Sequence, residues 1–296
     1  MMNNILIMSK YSIKICRIND IHTARFLARC KVDFIGLHAI FGLPNPKVVR
    51  EFQMIINELR TYYPKTRTVL VTRIINPNKL LKVYQKLHTD FVKWSAPVGR
   101  VEKEYFILRA RQYEPLVDIF NVLSSTDTNI SLAQKNIVGK YVILDKKFAG
   151  GTGTQIPKET IIEITKNLKN KYILLAGGMG RVDIGSWLSN IPVTGVDIMS
   201  SLEISESDKR KDILKVTNFL KKYLNNSKLP ILKISTKKKL VSQNVSTIIE
   251  SEKAIKNGVD IIEVDTKSLN GNLVEKIKSI NPFVPIIVNQ PDVRSL

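Results

Sequence analysis

Several things are scarce in this 296-residue chain, and each scarcity removes a class of protein. It has two cysteines, Cys16 and Cys30, and three histidines, His22, His38 and His88. Two thiols cannot make a disulfide framework, and their spacing to the histidines is not that of a metal site. A reducing, cytoplasmic setting is expected. No apolar run approaches the roughly 20 residues of a membrane span, so no membrane is expected as a partner. Ile5-Leu6-Ile7-Met8 is too short for a signal-peptide core. Acidic residues are few: 26 Asp and Glu face 46 Lys and Arg, a formal charge of +20. Such a charge attracts nucleic acid, acidic membranes or anionic metabolites. Aromatic residues make up only 7%. They do not interleave with a basic patch as they do in single-strand binders, and the lysines are spread along the chain, so nucleic acid is an unlikely partner.

What is present is an ordinary globular composition, 44% apolar and 24% charged. Short apolar runs alternate with amphipathic stretches. Strands are expected at Ser12–Cys16, Asp33–His38, Thr68–Ile74, Asp90–Ser95, Leu116–Leu123, Tyr141–Asp145, Tyr172–Ala176 and Thr194–Met199. Helices are expected near Asp20–Cys30, Pro46–Tyr62, Asn78–Leu87, Val101–Gln112, Asn129–Asn136, Lys158–Lys169, Arg181–Leu188 and Asp208–Leu224. Asp20 is placed to cap the first helix. Alternating strands and helices favour a parallel sheet, and eight such units suggest a closed (β/α)8 TIM barrel. The rival is an open doubly wound sheet, but no dinucleotide fingerprint follows the first strand.

Asn225-Asn226-Ser227-Lys228 reads as a linker. This divides the chain into a barrel over residues 1–226 and a C-terminal α/β extension over 227–296. The extension is expected to be βαβαβ, with strands at Pro230–Ser235, Val259–Asp265 and Val284–Asn289 and helices at Ser246–Asn257 and Gly271–Ser279.

Chemistry in such folds gathers at the C-terminal strand ends. Cys16 ends the first strand. Lys14 shares its face by strand alternation and Arg17 lies on the other. A nearby cation is expected to lower the thiol pKa toward the operating range. Asp145 ends the sixth strand, and either faces the pocket or makes a structural ion pair with Lys146 or Lys147. A thiol and a carboxylate so placed are a candidate proton-transfer pair. Gly150-Gly151-Thr152-Gly153 can turn backbone N–H groups toward an anion. Gly177-Gly178 follows the seventh strand and Ser200-Ser201 the eighth, the two loops from which barrels often build a phosphate site. Each is an ordinary turn on its own. Together they point to a phosphorylated, sugar-like substrate.

The ordered set resembles the phosphoribosylanthranilate isomerase family. That family opens with Lys-Ile/Val-Cys-Gly. It carries Leu-Asp at the sixth strand, then Gly-Gly-Ser/Thr-Gly, then Ala/Ser-Gly-Gly, then Val-Asp-Val-Ser-Ser-Gly. The matches are Lys14–Cys16, Leu144-Asp145, Gly150–Gly153, Ala176–Gly178 and Val196–Ser201, within about residues 12 to 224. The resemblance implies an Amadori-type aldose–ketose rearrangement of an N-phosphoribosyl amine, most simply phosphoribosylanthranilate in tryptophan biosynthesis, with no metal or cofactor. It implies Asp145 as general acid and Cys16 as general base. Asp197, with Lys14 and Arg17 beside the thiol, would contact the substrate. Gly151, Thr152, Gly153, Gly177, Gly178, Ser200 and Ser201 would surround the phosphate. A monomer or homodimer is expected.

Departures concentrate away from those residues. The glycine after the cysteine is Arg17. The family's Arg-Tyr after the second strand, whose arginine holds the anthranilate carboxylate, has no clear counterpart, with Lys47 or Arg50 as poor substitutes. Gln-Leu-His-Gly at the fourth strand becomes Lys93-Trp94-Ser95-Ala96, and the glycine after the serine pair becomes Leu202. The alternative is therefore a divergent, non-catalytic relative that binds a phosphorylated ligand or a protein.

Overall fold

In the computed structural model the described residues are 11–127, 130–146, 155–181, 188, 190–223, 242–245, 261–265 and 286–289. The chain forms two compact units, Met1–Leu229 and Pro230–Leu296.

The strands of the first unit are β1 (Ser12–Cys16), β2 (Phe34–His38), β3 (Arg67–Thr72), β4 (Phe91–Trp94), β5 (Asp118–Ser124), β6 (Tyr141–Asp145), β7 (Tyr172–Leu175) and β8 (Gly195–Ile198). They pair in sequence order and are all parallel. β1 also pairs with β8, with Lys14 opposite Asp197, so the barrel is closed. Closure removes the open-sheet alternative. The intervening helices are α1 (Ile21–Arg29), α2 (Pro46–Tyr62), α3 (Pro77–Leu87), α4 (Arg100–Ala110), α5 (Ile130–Lys135) and α6 (Lys158–Lys166), and α7 (Ile213–Tyr223) follows β8. The helix expected near Arg181–Leu188 lies mostly outside the described residues.

Local chemistry sets the helix starts. Asp20 accepts from the Thr23 N–H at 2.7 Å, as its position suggested. Asn45 and Asn76 cap α2 and α3, each followed by a proline at the first helical position, where a missing N–H costs nothing. The last helix begins later than periodicity indicates. Asp212, not Asp208, accepts from the N–H groups of Leu214 and Lys215. Asp208 is taken by Arg210, and an antiparallel bridge joins Glu203 to Lys211.

Most of the apolar core lies between strands and helices. A second cluster fills the barrel axis: Phe34, Val69, Phe91, Phe120, Ile143, Leu174 and Ala176, flanked by Tyr141 and Tyr172. Phe34 meets Phe91 and Phe120 edge-on, with ring centroids 5.5 and 5.2 Å apart. This plug identifies the inward face of β2 to β7, and register carries it to Lys14 on β1 and Asp197 on β8. Residues on that face beyond the plug, toward the C-terminal ends, line the mouth.

The second unit contains a parallel three-stranded sheet with β10 (Ile261–Asp265) between β9 (Ser242–Val245) and β11 (Ile286–Asn289). β10 and β11 fall on two expected strands. β9 was not anticipated, because Ser-Gln-Asn-Val is too polar to read as a buried run. The strand expected at Pro230–Ser235 and both extension helices lie outside the described residues.

Candidate active site

Lys14 and Cys16 project inward from β1, and Asp197 from β8 beside it. All three are buried. The Lys14 ammonium donates to Cys16 Sγ and, at 2.8 Å, to Asp197 Oδ1. The thiol donates to the same Oδ1 at 3.2 Å. Lys93, inward on β4 across the barrel, donates to Asp197 Oδ2 at 2.8 Å. Asp197 is thus an anion between two cations, with the thiol on its edge.

The electrostatics follow from that geometry. Burial alone would push the Asp197 carboxyl up, but Lys14 and Lys93 outweigh it and hold the group well below the usual carboxylate range. Burial opposes the charge on Lys93, yet Asp197, then Cys16 and Asp145, raise its pKa on balance. The thiol behaves differently from the expectation drawn from its flanking cations. Burial raises the Cys16 pKa, Asp197 raises it further, and Lys14 and Lys93 do not offset the two. The adjacent lysine is legible in the sequence, but the carboxylate that captures it comes from β8, 183 residues on.

Gly36, opposite Cys16 on β2, gives the thiol its room. A Cβ there would stand 2.7 Å from Cys16 Sγ. Asp145 ends β6 on the inward side, buried, and its Oδ1 accepts from the Lys146 N–H at 2.7 Å. Arg17 takes a left-handed backbone, φ +63°. Its guanidinium, with 31% of the side chain exposed, bonds Glu203 Oε1 at 2.9 Å. Glu203 is buried and also meets Lys211 and Lys209. Burial lowers Lys211 to about 8 despite Glu203, and its ammonium donates to the Met199 carbonyl at 2.8 Å. This cluster anchors the segment after β8.

The loops after β7 and β8 come together. Gly177 and Gly178 both have positive φ, +85° and +68°. Met179–Arg181 and Ser200–Leu202 each form one 3-10 turn. They touch so closely that a Cβ on Gly180 would overlap the Ser201 hydroxyl. Gly151, Thr152 and Gly153 lie outside the described residues. No group of three or more His, Cys, Asp or Glu suited to a metal occurs among the described residues. None of their helices is long and apolar enough to cross a membrane.

Sequence reading alone missed Lys93, His38, Glu203, Lys211, Gly36 and Gly180. Lys93 had a signal: it shares the face of Phe91 in a short strand, which aims a charge at the barrel axis.

Residues 23–222 match the family described as N-(5'phosphoribosyl)anthranilate (PRA) isomerase. The chain belongs to this family. Its similarity to named isomerases is moderate. It is 26% identical over 220 residues to the N-(5'-phosphoribosyl)anthranilate isomerase of Leptospira borgpetersenii serovar Hardjo-bovis, spanning 72% of this chain and 94% of that protein. The Bacillus cereus isomerase is 26% identical over 222 residues, 73% of this chain and all (100%) of that one. In structure, the phosphoribosyl anthranilate isomerase of Thermotoga maritima superposes with a TM-score of 0.58 at 20% identity, covering 73% and 100% of the two chains. A phosphoribosyl anthranilate isomerase in complex with reduced 1-(o-carboxyphenylamino)-1-deoxyribulose 5-phosphate gives 0.57 at 19% identity, with the same coverage, 73% and 100%. These likenesses concern the barrel fold of the family. The family match ends at residue 222, within the first unit.

Proposed function

We propose that this chain is a phosphoribosylanthranilate isomerase, converting an N-phosphoribosyl amine into the corresponding 1-amino-1-deoxyribulose phosphate. One observation carries the reading. In a chain of this family, Cys16 and Asp145 stand inward at the C-terminal ends of β1 and β6 of one closed barrel, flanking the two loops that meet after β7 and β8.

In this mechanism Asp145 protonates the ring oxygen, the C1–O bond breaks, and the nitrogen lone pair forms a Schiff base at C1. Cys16 removes the proton from C2, and the electron pair of that C–H bond moves toward the iminium to give an enaminol, which tautomerises to the ketone. The resting thiol holds its proton, so Cys16 acts as base through its thiolate, and the Lys14 and Lys93 charges stabilise that anion. Lys14 and Asp197 orient the sugar, and Arg17 adds positive charge at the rim. Gly177, Gly178, Ser200 and Ser201 seat the phosphate, joined by the Gly151-Thr152-Gly153 loop. The assembly proposed is a monomer or homodimer.

The test is a fluorescence assay with freshly generated phosphoribosylanthranilate. The unaltered protein turns it over. Cys16→Ala and Asp145→Asn each lose about 10²-fold or more in kcat, as removal of a general acid or base requires, while still binding ribulose 5-phosphate. Retained turnover in either variant sinks that residue's role. No turnover by the unaltered protein, with ligand binding intact, assigns it to other phosphoribosyl amines or to a non-catalytic function.

A further inference from the structure

His38 ends β2 on its inward face, two positions past Gly36 and four past Phe34 of the axial plug. Strand register sets it level with Lys93 through Val71 and one inward position beyond Cys16. Its Nε2 is buried and has no hydrogen-bond partner, the single side-chain nitrogen or oxygen in that state among the described residues. Buried polar atoms are almost always paired, so a partner supplied from outside the fold is the natural explanation. Burial, then the Lys14, Arg17 and Lys93 charges, keep the imidazole neutral, with Asp197 opposing them.

The topology indicates which part of a substrate arrives there. With Cys16 and Asp145 as the proposed base and acid, the reacting carbons would lie between β1 and β6, and the proposed phosphate seat at the β7 and β8 loops falls within the same arc. The opposite arc, β2 to β5, is left for the group carried on the sugar nitrogen. On that arc the inward polar groups include His38 and Lys93. Cations nearby repel another donor cation and draw an anionic acceptor. We infer that His38 is a specificity residue whose Nε2–H donates a hydrogen bond to the carboxylate of the substrate's N-aryl group. It contacts the group that the chemistry leaves untouched and takes no part in proton transfer.

The inference rests on the proposed function, and its test separates the two. Binding is measured by calorimetry for two ligands, reduced 1-(o-carboxyphenylamino)-1-deoxyribulose 5-phosphate and the phenylamino counterpart without the carboxylate. His38→Phe fills the same space without the donor. It is expected to weaken the carboxylated ligand about 10-fold or more and leave the other within about twofold. His38→Asn, which keeps a donor, recovers part of the loss, and thermal melts confirm that both variants fold. Equal weakening of both ligands, or of neither, overturns the inference. If the unaltered protein binds the carboxylated ligand but turns over no phosphoribosylanthranilate, the isomerase reading fails while the ligand comparison still decides His38. With turnover present, His38→Phe raises KM and largely spares kcat.

Discussion

At the residue scale the decisive feature is that one carboxylate, Asp197, holds both Lys14 and Lys93 while accepting from the Cys16 thiol. The usual inference from a cysteine beside a lysine is a depressed pKa. Here burial and Asp197 reverse the sign. The base must be a thiolate, so kcat/KM is expected to rise with pH through the neutral and mildly alkaline range. Asp197→Asn removes the anion that keeps the proton on sulfur and leaves two cations, so the rising limb shifts to lower pH. Lys93→Gln removes one cation and shifts it the opposite way. Measuring the limb's position in each variant checks this independently of how much activity survives. A limb that stays in place in both variants would show that Cys16 is not the titrating group. Asp197→Asn also leaves Lys14 buried without its counter-charge, a loss of about 3–5 kcal/mol that urea unfolding would detect.

At the element scale, the turn from β1 into α1 carries an unusual residue for its conformation. Arg17 sits at φ +63°, where a side chain costs about 1–2 kcal/mol and glycine costs little. Arg17 offsets the cost through Glu203, which lies in the segment after β8 and ties that segment to the turn. Two substitutions separate strain from pairing. Arg17→Ala loses the ion pair and keeps the strain, whereas Arg17→Gly loses the pair and relieves it. Arg17→Gly is therefore expected to be more stable than Arg17→Ala by about 1 kcal/mol, measured by urea unfolding. The reverse order would mean that the left-handed turn is not retained in solution.

At the scale of the whole molecule, the formal charge is +20. Positive side chains also gather at the mouth, where Lys14, Lys93, Arg17, Lys209 and Lys211 face Asp197 and Glu203. A phosphorylated substrate carrying a carboxylate is steered toward such a surface, and salt screens the attraction over about 8 Å at physiological ionic strength. Raising sodium chloride from about 20 to 300 mM is expected to lower kcat/KM several-fold with little change in kcat. A flat response in a salt titration would show that the net charge contributes nothing to capture.

The amino-acid sequence by itself determined the barrel and the positions of its chemical residues. Strand runs such as Val142-Ile143-Leu144 are buried on both faces, so they read as parallel strands, and alternation told which face Lys14 and Cys16 share. Asp20 announced a helix start because capping acts within four residues. The sequence also carried the ordered motifs that mark the family. Tertiary structure alone decided the electrostatics. Lys14, Cys16 and Lys93 all donate to Asp197, which lies 183, 181 and 104 residues away in the chain and is brought to them by barrel closure. Whether a thiol is raised or lowered depends on burial and on charges brought from other strands, which no local pattern encodes. The same holds for His38, whose unpaired nitrogen becomes visible only when every neighbouring strand is in place.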